Sequence, residues 1–163
     1  MELHPYAQAF ADGDLDGALA LVTDDVVFHS PVISDTAFEG RASTAALLEI
    51  AFREVRDVQY VHASGDATSH VTVADARVRG TPVKVSTLLE LDADGKVREI
   101  WVMARPLVGA VAIAEAIGSG LAQRQAPRRE RALALAMKPL AGFAAATDRV
   151  GSRLIGELNR SVG

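Results

Sequence analysis

The sequence predicts an α+β domain, with three N-terminal helices on a curved, mostly antiparallel sheet and a C-terminal helical extension. Three observations predict it. Apolar residues recur at three- and four-residue steps up to about residue 55. From 58 to 105 they alternate with period two, and helical spacing returns after Pro106. Helices followed by a run of strands, rather than strictly alternating with them, is the α+β order.

Pro5 suits the first position of a helix, where its missing N–H removes no bond, and Tyr6, Ala9 and Phe10 share one face. Asp12-Gly13-Asp14 breaks that helix, and Asp14 can cap a second one with Leu15, Ala18, Leu19 and Val22 as its apolar face. Thr23-Asp24-Asp25 is expected to end it and shape a turn before a short strand, Val26-Val27-Phe28. His29-Ser30-Pro31 closes that strand. Residues 33–42 are expected as loop with a turn at Gly40. Ser43 or Thr44 then caps a third helix carrying Leu48, Ala51, Phe52 and Val55.

Strand patterns follow. Val58, Tyr60 and His62 alternate with Gln59, Val61 and Ala63, which puts His62 on the face of Tyr60. Ser64-Gly65-Asp66 is a turn, residues 69–79 alternate Val, Thr and Ala, and Arg79-Gly80-Thr81-Pro82 connects a hairpin. Val83 to Leu91 is the next strand. Asp92-Ala93-Asp94-Gly95 supplies the positive φ of a second hairpin turn, and the last strand runs to Arg105, where Pro106 stops it. Beyond it, a helix from Leu107 to about Ala122 is followed by a break at Gln125-Ala126-Pro127. Residues 128–160 read as one amphipathic helix kinked at Pro139, or as two. The division is thus a domain over 1–107 and a helical extension over 108–163, packed on or beside it.

The 163 residues suit one domain, and 49% apolar content is enough for a core. The absence of cysteine excludes disulfides and thiolate chemistry. The N-terminus has no basic segment followed by an apolar run, so a cytoplasmic protein is expected. Pro106 to Gln123 contains Glu115 and three glycines and makes a poor membrane span. Residues 1–122 carry nine basic and eighteen acidic groups, whereas 123–163 carry eight and three. The basic extension is read as docking on the acidic body, the alternative being a membrane surface or another anionic partner. An acidic core speaks against nucleic acid, and membrane contact by the C-terminal helix is not expected. Four scattered histidines without a spaced acidic partner imply no metal. No phosphate loop or nucleophile elbow is present, and no cofactor is expected.

At GDLDGALALVTDDVVFHSPV the sequence resembles the NTF2-like superfamily, in its SnoaL-like and ketosteroid-isomerase-like branches. Gly40-Arg41, Asp94-Gly95-Lys96-Val97 and Trp101 support the resemblance, which covers roughly residues 4–107. Arg105-Pro106-Leu107 before an Ala-rich helix is similar to a subgroup of unassigned function. The resemblance implies a cone open at one end and a homodimer through the sheet. In the isomerase branch, a tyrosine and a protonated aspartic acid donate to an enolate while a second aspartate moves the proton. Tyr6 falls at the tyrosine position, Ser30 at the base and Thr87 at the second donor, so two of the three groups are replaced. The cyclase branch places an acid where Arg105 stands, and an arginine there favours an anion instead. Asp75 and Arg77 give one carboxylate and one arginine of the trio used by epoxide-hydrolase relatives.

The resemblance and the strand pattern together predict an apolar ligand held between Phe10, Phe28, Phe52, Tyr60, Leu89 and Val102, with Arg105 at the mouth. Tyr6, Ser30, His62 and Thr87 are the candidate catalytic or orienting groups, with Tyr6 and Thr87 stabilising negative charge and His62 moving a proton. His29 is expected to point away from the cone, and His4 and His70 to lie at the surface or an edge. The expected function is small-molecule binding. Whether a cofactor-independent isomerase, cyclase or hydratase-like reaction on a carbonyl compound accompanies it is left open. The alternative is a non-catalytic module that binds a ligand unchanged or assembles through its sheet face and basic C-terminal helices.

Overall fold

In the computed structural model, residues 2–32, 37–125 and 146 are described. The elements are α1 (Pro5–Asp12), α2 (Leu15–Ala20), β1 (Val22–His29), β2 (Phe38–Glu39), α3 (Gly40–Glu54), β3 (Val55–Gly65), β4 (Ser69–Val78), β5 (Thr81–Leu91), β6 (Val97–Arg105) and α4 (Leu107–Gln125). Apart from residue 146, the predicted helix over 128–160 lies outside the described residues. One six-stranded sheet has the order β2-β1-β6-β5-β4-β3. Among the described strands, only the β1–β6 pairing is parallel; the others are antiparallel.

Local chemistry accounts for the first helices. Pro5 opens α1, and the Tyr6 N–H, which has no partner within the helix, donates to His4 Nδ1 at 3.2 Å. Gly13 ends α1 in the left-handed region at φ 74°. Asp14 caps α2 by accepting from the Gly17 N–H at 2.8 Å.

Three expected boundaries move, each for a long-range reason. Thr23-Asp24-Asp25 does not end α2 but lies inside β1, because the Val97 N–H donates to the Leu21 carbonyl (2.8 Å) and Val22 pairs with Val97. Residues 38–39 form β2 instead of loop, paired with Val27 and Phe28. The third helix starts at Gly40 rather than at Ser43 or Thr44. Arg41, in its first turn, donates to the Leu19 carbonyl, to the Val22 carbonyl (2.6 Å) and to Asp24 (2.8 Å), tying α3 to the start of β1.

The hairpins are local. Arg79 and Gly80 both have positive φ (49° and 83°), and Gly95 does too (77°). The main core gathers Tyr6, Ala18, Val22, Val26, Leu48, Leu89, Val97 and Ile100. A second cluster joins Ala112 and Ala116 of α4 to Ala76, Val78 and Val83, so α4 packs on the inner face of the sheet. No described helix is long and apolar enough to cross a membrane.

Candidate functional site

The inner face of the sheet carries small residues at its centre. One cross-strand row is Tyr60, Ala74, Val85 and Ala104; the next is Thr72, Thr87 and Val102. Such side chains leave space below α1, α3 and α4 that larger ones would fill. The result is a cavity of about 130 Å³. Phe10 of α1, Leu47 and Leu48 of α3, Phe28 of β1, Ile100 of β6, and Ile113 and Ile117 of α4 form its walls. Its side-chain polar groups are the hydroxyls of Tyr6, Ser30, Tyr60, Thr72 and Thr87, and no described lining residue is Asp, Glu, His, Lys or Arg.

α1 delivers Tyr6 to this space one residue after the proline that opens the helix, and its side chain is buried. Burial, with the neighbouring Tyr60 adding to it, holds the Tyr6 phenol well above its ordinary pKa. Burial pushes Tyr60 up to about 12. Both phenols are therefore neutral near pH 7 and serve as hydrogen-bond donors, not as bases. Neither has a hydrogen-bond partner among the described residues. Ser30 accepts from the Val32 N–H at 3.3 Å, closing the strand as its position before Pro31 suggests, while also lining the cavity.

Of the residues singled out from sequence, Tyr6, Phe10, Phe28, Ser30, Tyr60, Thr87, Leu89 and Val102 line this cavity. Three do not. Phe52 lies in an adjoining cleft beside Arg56 and Asp57, its ring 4.5 Å from that of Phe10, which borders both spaces. His62 sits on the opposite face from Tyr60, because a β-bulge interrupts the alternation. Tyr60 pairs with Ala74 and His62 with Val73, so β3 advances two residues while β4 advances one. The His62 ring is exposed, 3.3 Å from Ser64 Oγ. Arg105 is also exposed. It pairs with Lys84 on the outer face and lines a broad polar groove with Asp57, Asp75 and Arg77. In that groove Lys84 meets Asp75 at 2.5 Å, and Arg77 approaches Asp57 at 3.9 Å.

The other histidines divide. His29 points outward, its ring stacked on Trp101 (3.4 Å between centroids, 7° between planes) and its Nε2 donating to Glu99 at 2.7 Å. His4 is not at the surface as expected; it is buried under the first turn of α1, with its ring 5.2 Å from that of His70. Burial lowers its pKa, against an opposing hydrogen bond to the Gly95 backbone.

Sequence reasoning missed Thr72, Ala74 and Ala76, although their period-two placement with Val78 was visible. It also missed Ile113 and Ile117, four residues apart on α4. No described group of histidine, cysteine and carboxylate side chains could hold a metal ion.

The family model for a SnoaL-like domain matches residues 3–103, and the chain belongs to that family. A steroid delta-isomerase from Pseudomonas aeruginosa is 28% identical with a TM-score of 0.67, over 74% of this chain and 88% of that one. A protein with a cystatin-like fold from Silicibacter pomeroyi is 22% identical with a TM-score of 0.66, over 78% and 90% of the two chains. An NTF2-like protein of unknown function from Cytophaga hutchinsonii is 14% identical with a TM-score of 0.51, over 63% and 85%. No curated protein matches the chain.

Proposed function

We propose that this SnoaL-like chain binds an apolar small molecule in the space between its inner sheet face and α1, α3 and α4. The observation that carries this reading is the lining: apolar walls with a few hydroxyls, enclosed by both helices and sheet. Such a site desolvates a ligand and orients it through hydrogen bonds.

Binding without turnover is the reading the residues favour. The likeness to a steroid delta-isomerase brings that reaction class into view. Tyr6 can donate to a developing negative charge on a carbonyl oxygen, and so can Thr87. An isomerisation, cyclisation or hydration also needs a group that takes a proton. Ser30 stands where the resemblance expects that base, and a serine does not accept a proton near neutral pH unless another base activates it. His62, the proton carrier expected from strand alternation, faces solvent on the other side of the sheet.

Native mass spectrometry of the full chain tests the reading. One small non-covalent adduct is expected, released on unfolding and absent from an Ala74→Phe variant that fills the cavity. An adduct equally occupied in Ala74→Phe would place the ligand elsewhere and overturn the assignment.

A second copy of the chain on the outer sheet face accompanies this reading. Trp101 (40% exposed), Met103 (53%) and Val71 (36%) lie on that face, and exposed apolar groups of this size suit an interface. Sedimentation analysis should give a dimer that Met103→Glu dissociates. A monomer at micromolar concentration would refute the assembly.

A further inference from the structure

We infer that the cavity takes an uncharged molecule about one ring in size, which offers an oxygen acceptor to the Tyr6 and Tyr60 hydroxyls. This rests on the binding function proposed above and narrows it to a ligand class. Three independent features of the lining support it.

The first is size. The space is about 130 Å³. An apolar cavity of roughly 150 Å³ holds a benzene-sized ring, whereas drug-sized ligands occupy pockets of about 300 Å³ or more. A fused four-ring skeleton is therefore too large. The walls that set this limit, Leu48, Leu89 and Ile100, are fully buried members of the core and cannot retreat without unpacking it.

The second is charge. Every described lining residue is neutral, so a carboxylate or an ammonium would enter with no counter-charge and only hydroxyls to replace its water shell. Arg105, the cation that could have received an anion, is on the far side of the sheet.

The third is unused donor capacity. Two phenols border the same cavity, each without a hydrogen-bond partner among the described residues. A carbonyl oxygen has two lone pairs and can accept from both; a pure hydrocarbon would leave both phenols unsatisfied.

Four probes separate these features: 4-methylcyclohexanone, methylcyclohexane, 4-methylcyclohexanecarboxylate and androstenedione. Calorimetry on the full chain reads affinity, and methyl NMR of Ile113 and Ile117 reports whether the probe is in the cavity. The ketone is expected to bind and to shift both methyls, with about tenfold weaker binding of the hydrocarbon, the worth of one net hydrogen bond. The carboxylate and the steroid should leave the methyls unmoved. In the Tyr6→Phe/Tyr60→Phe double variant, the preference for ketone over hydrocarbon should collapse toward one. Hydrocarbon binding in that variant certifies an intact fold. If the carboxylate or the steroid shifts the methyls as strongly as the ketone, the ligand class is wrong and the binding function stands. Should none of the four move them, the binding function falls, and this inference with it.

Discussion

The two faces of the sheet use the same strands for opposite purposes. Along β6, Ile100, Val102 and Ala104 look inward, while Glu99, Trp101, Met103 and Arg105 look outward; β5 opposes Val85, Thr87 and Leu89 to Lys84, Ser86, Leu88 and Glu90. The charged side chains Asp75, Lys84, Glu99 and Arg105 sit on the outer face, where ion pairs such as Lys84–Asp75 and His29–Glu99 need little shielding from water. The inner face keeps hydroxyls, whose desolvation is tolerable, and small residues that leave space. The difference teaches that polarity alone does not mark a site in this fold. The outer groove is lined by Asp57, Asp75, Arg77, Lys84 and Arg105, whereas no described residue of the enclosed cavity carries a charge near pH 7.

The sharpest way to break this contrast is to move a charge across it. Val102→Glu, on the inner face, should destabilise the fold by about 3 kcal/mol or more. Met103→Glu, one residue on and facing out, should stay within about 0.5 kcal/mol for the protomer, both read from urea midpoints at a protein concentration where wild type and variants are monomeric. Equal effects would mean that the two faces are not distinct in solution. Truncation gives the next largest effect. Leu89→Ala removes a fully buried side chain and should lose about 2–3 kcal/mol, against less than about 1 kcal/mol for the outward Leu88→Ala.

Alkaline titration tests the inner phenols. An unperturbed phenol ionises near pH 10, and Tyr60 in the fold ionises at about 12. Between those values the folded state holds a proton that the unfolded chain has lost. The stabilisation is therefore complete below pH 10 and declines as pH rises toward 12. Urea midpoints should fall over that window, and Tyr60→Phe should flatten part of the decline. A wild-type midpoint that does not change from pH 9 to 11.5 would show the phenol exposed. The smallest effect belongs to His62→Ala, which should change stability by less than about 0.5 kcal/mol and leave cavity ligands unaffected, because the ring is solvent-facing. A tenfold loss of ligand affinity in that variant would return His62 to the site.

Much of the architecture was legible because it is written locally. Pro5, Gly13 and Asp14 set the boundaries of α1 and α2 through groups within three residues of each terminus. Gly80 and Gly95 place two of the three described hairpin turns through positive φ. Tyr6 was legible as a residue on one face of α1 with Ala9 and Phe10, and the family resemblance singled it out as a donor. The start of β1 was not, because Val22 to Asp25 become strand by pairing with a segment more than seventy residues away and by the Arg41 clamp. His4 was misjudged for a related reason. What buries it is the meeting of α1 with two hairpin ends, which no local pattern encodes.

By itself the sequence determined the three N-terminal helices, the antiparallel strands from β3 to β6 and which residues alternate along β5 and β6, since helical and strand periods are properties of neighbouring residues; its motifs pointed to the family. The tertiary structure decided the rest: that a bulge after Tyr60 turns His62 outward, that Arg105 faces an outer groove, and that Thr72, Ala74 and Ala76 border an opening. The physical reason is that a bulge exists only relative to its partner strand, and a cavity is volume left over when distant side chains fail to meet. Both are differences between segments, and a difference of that kind cannot be read from either segment alone.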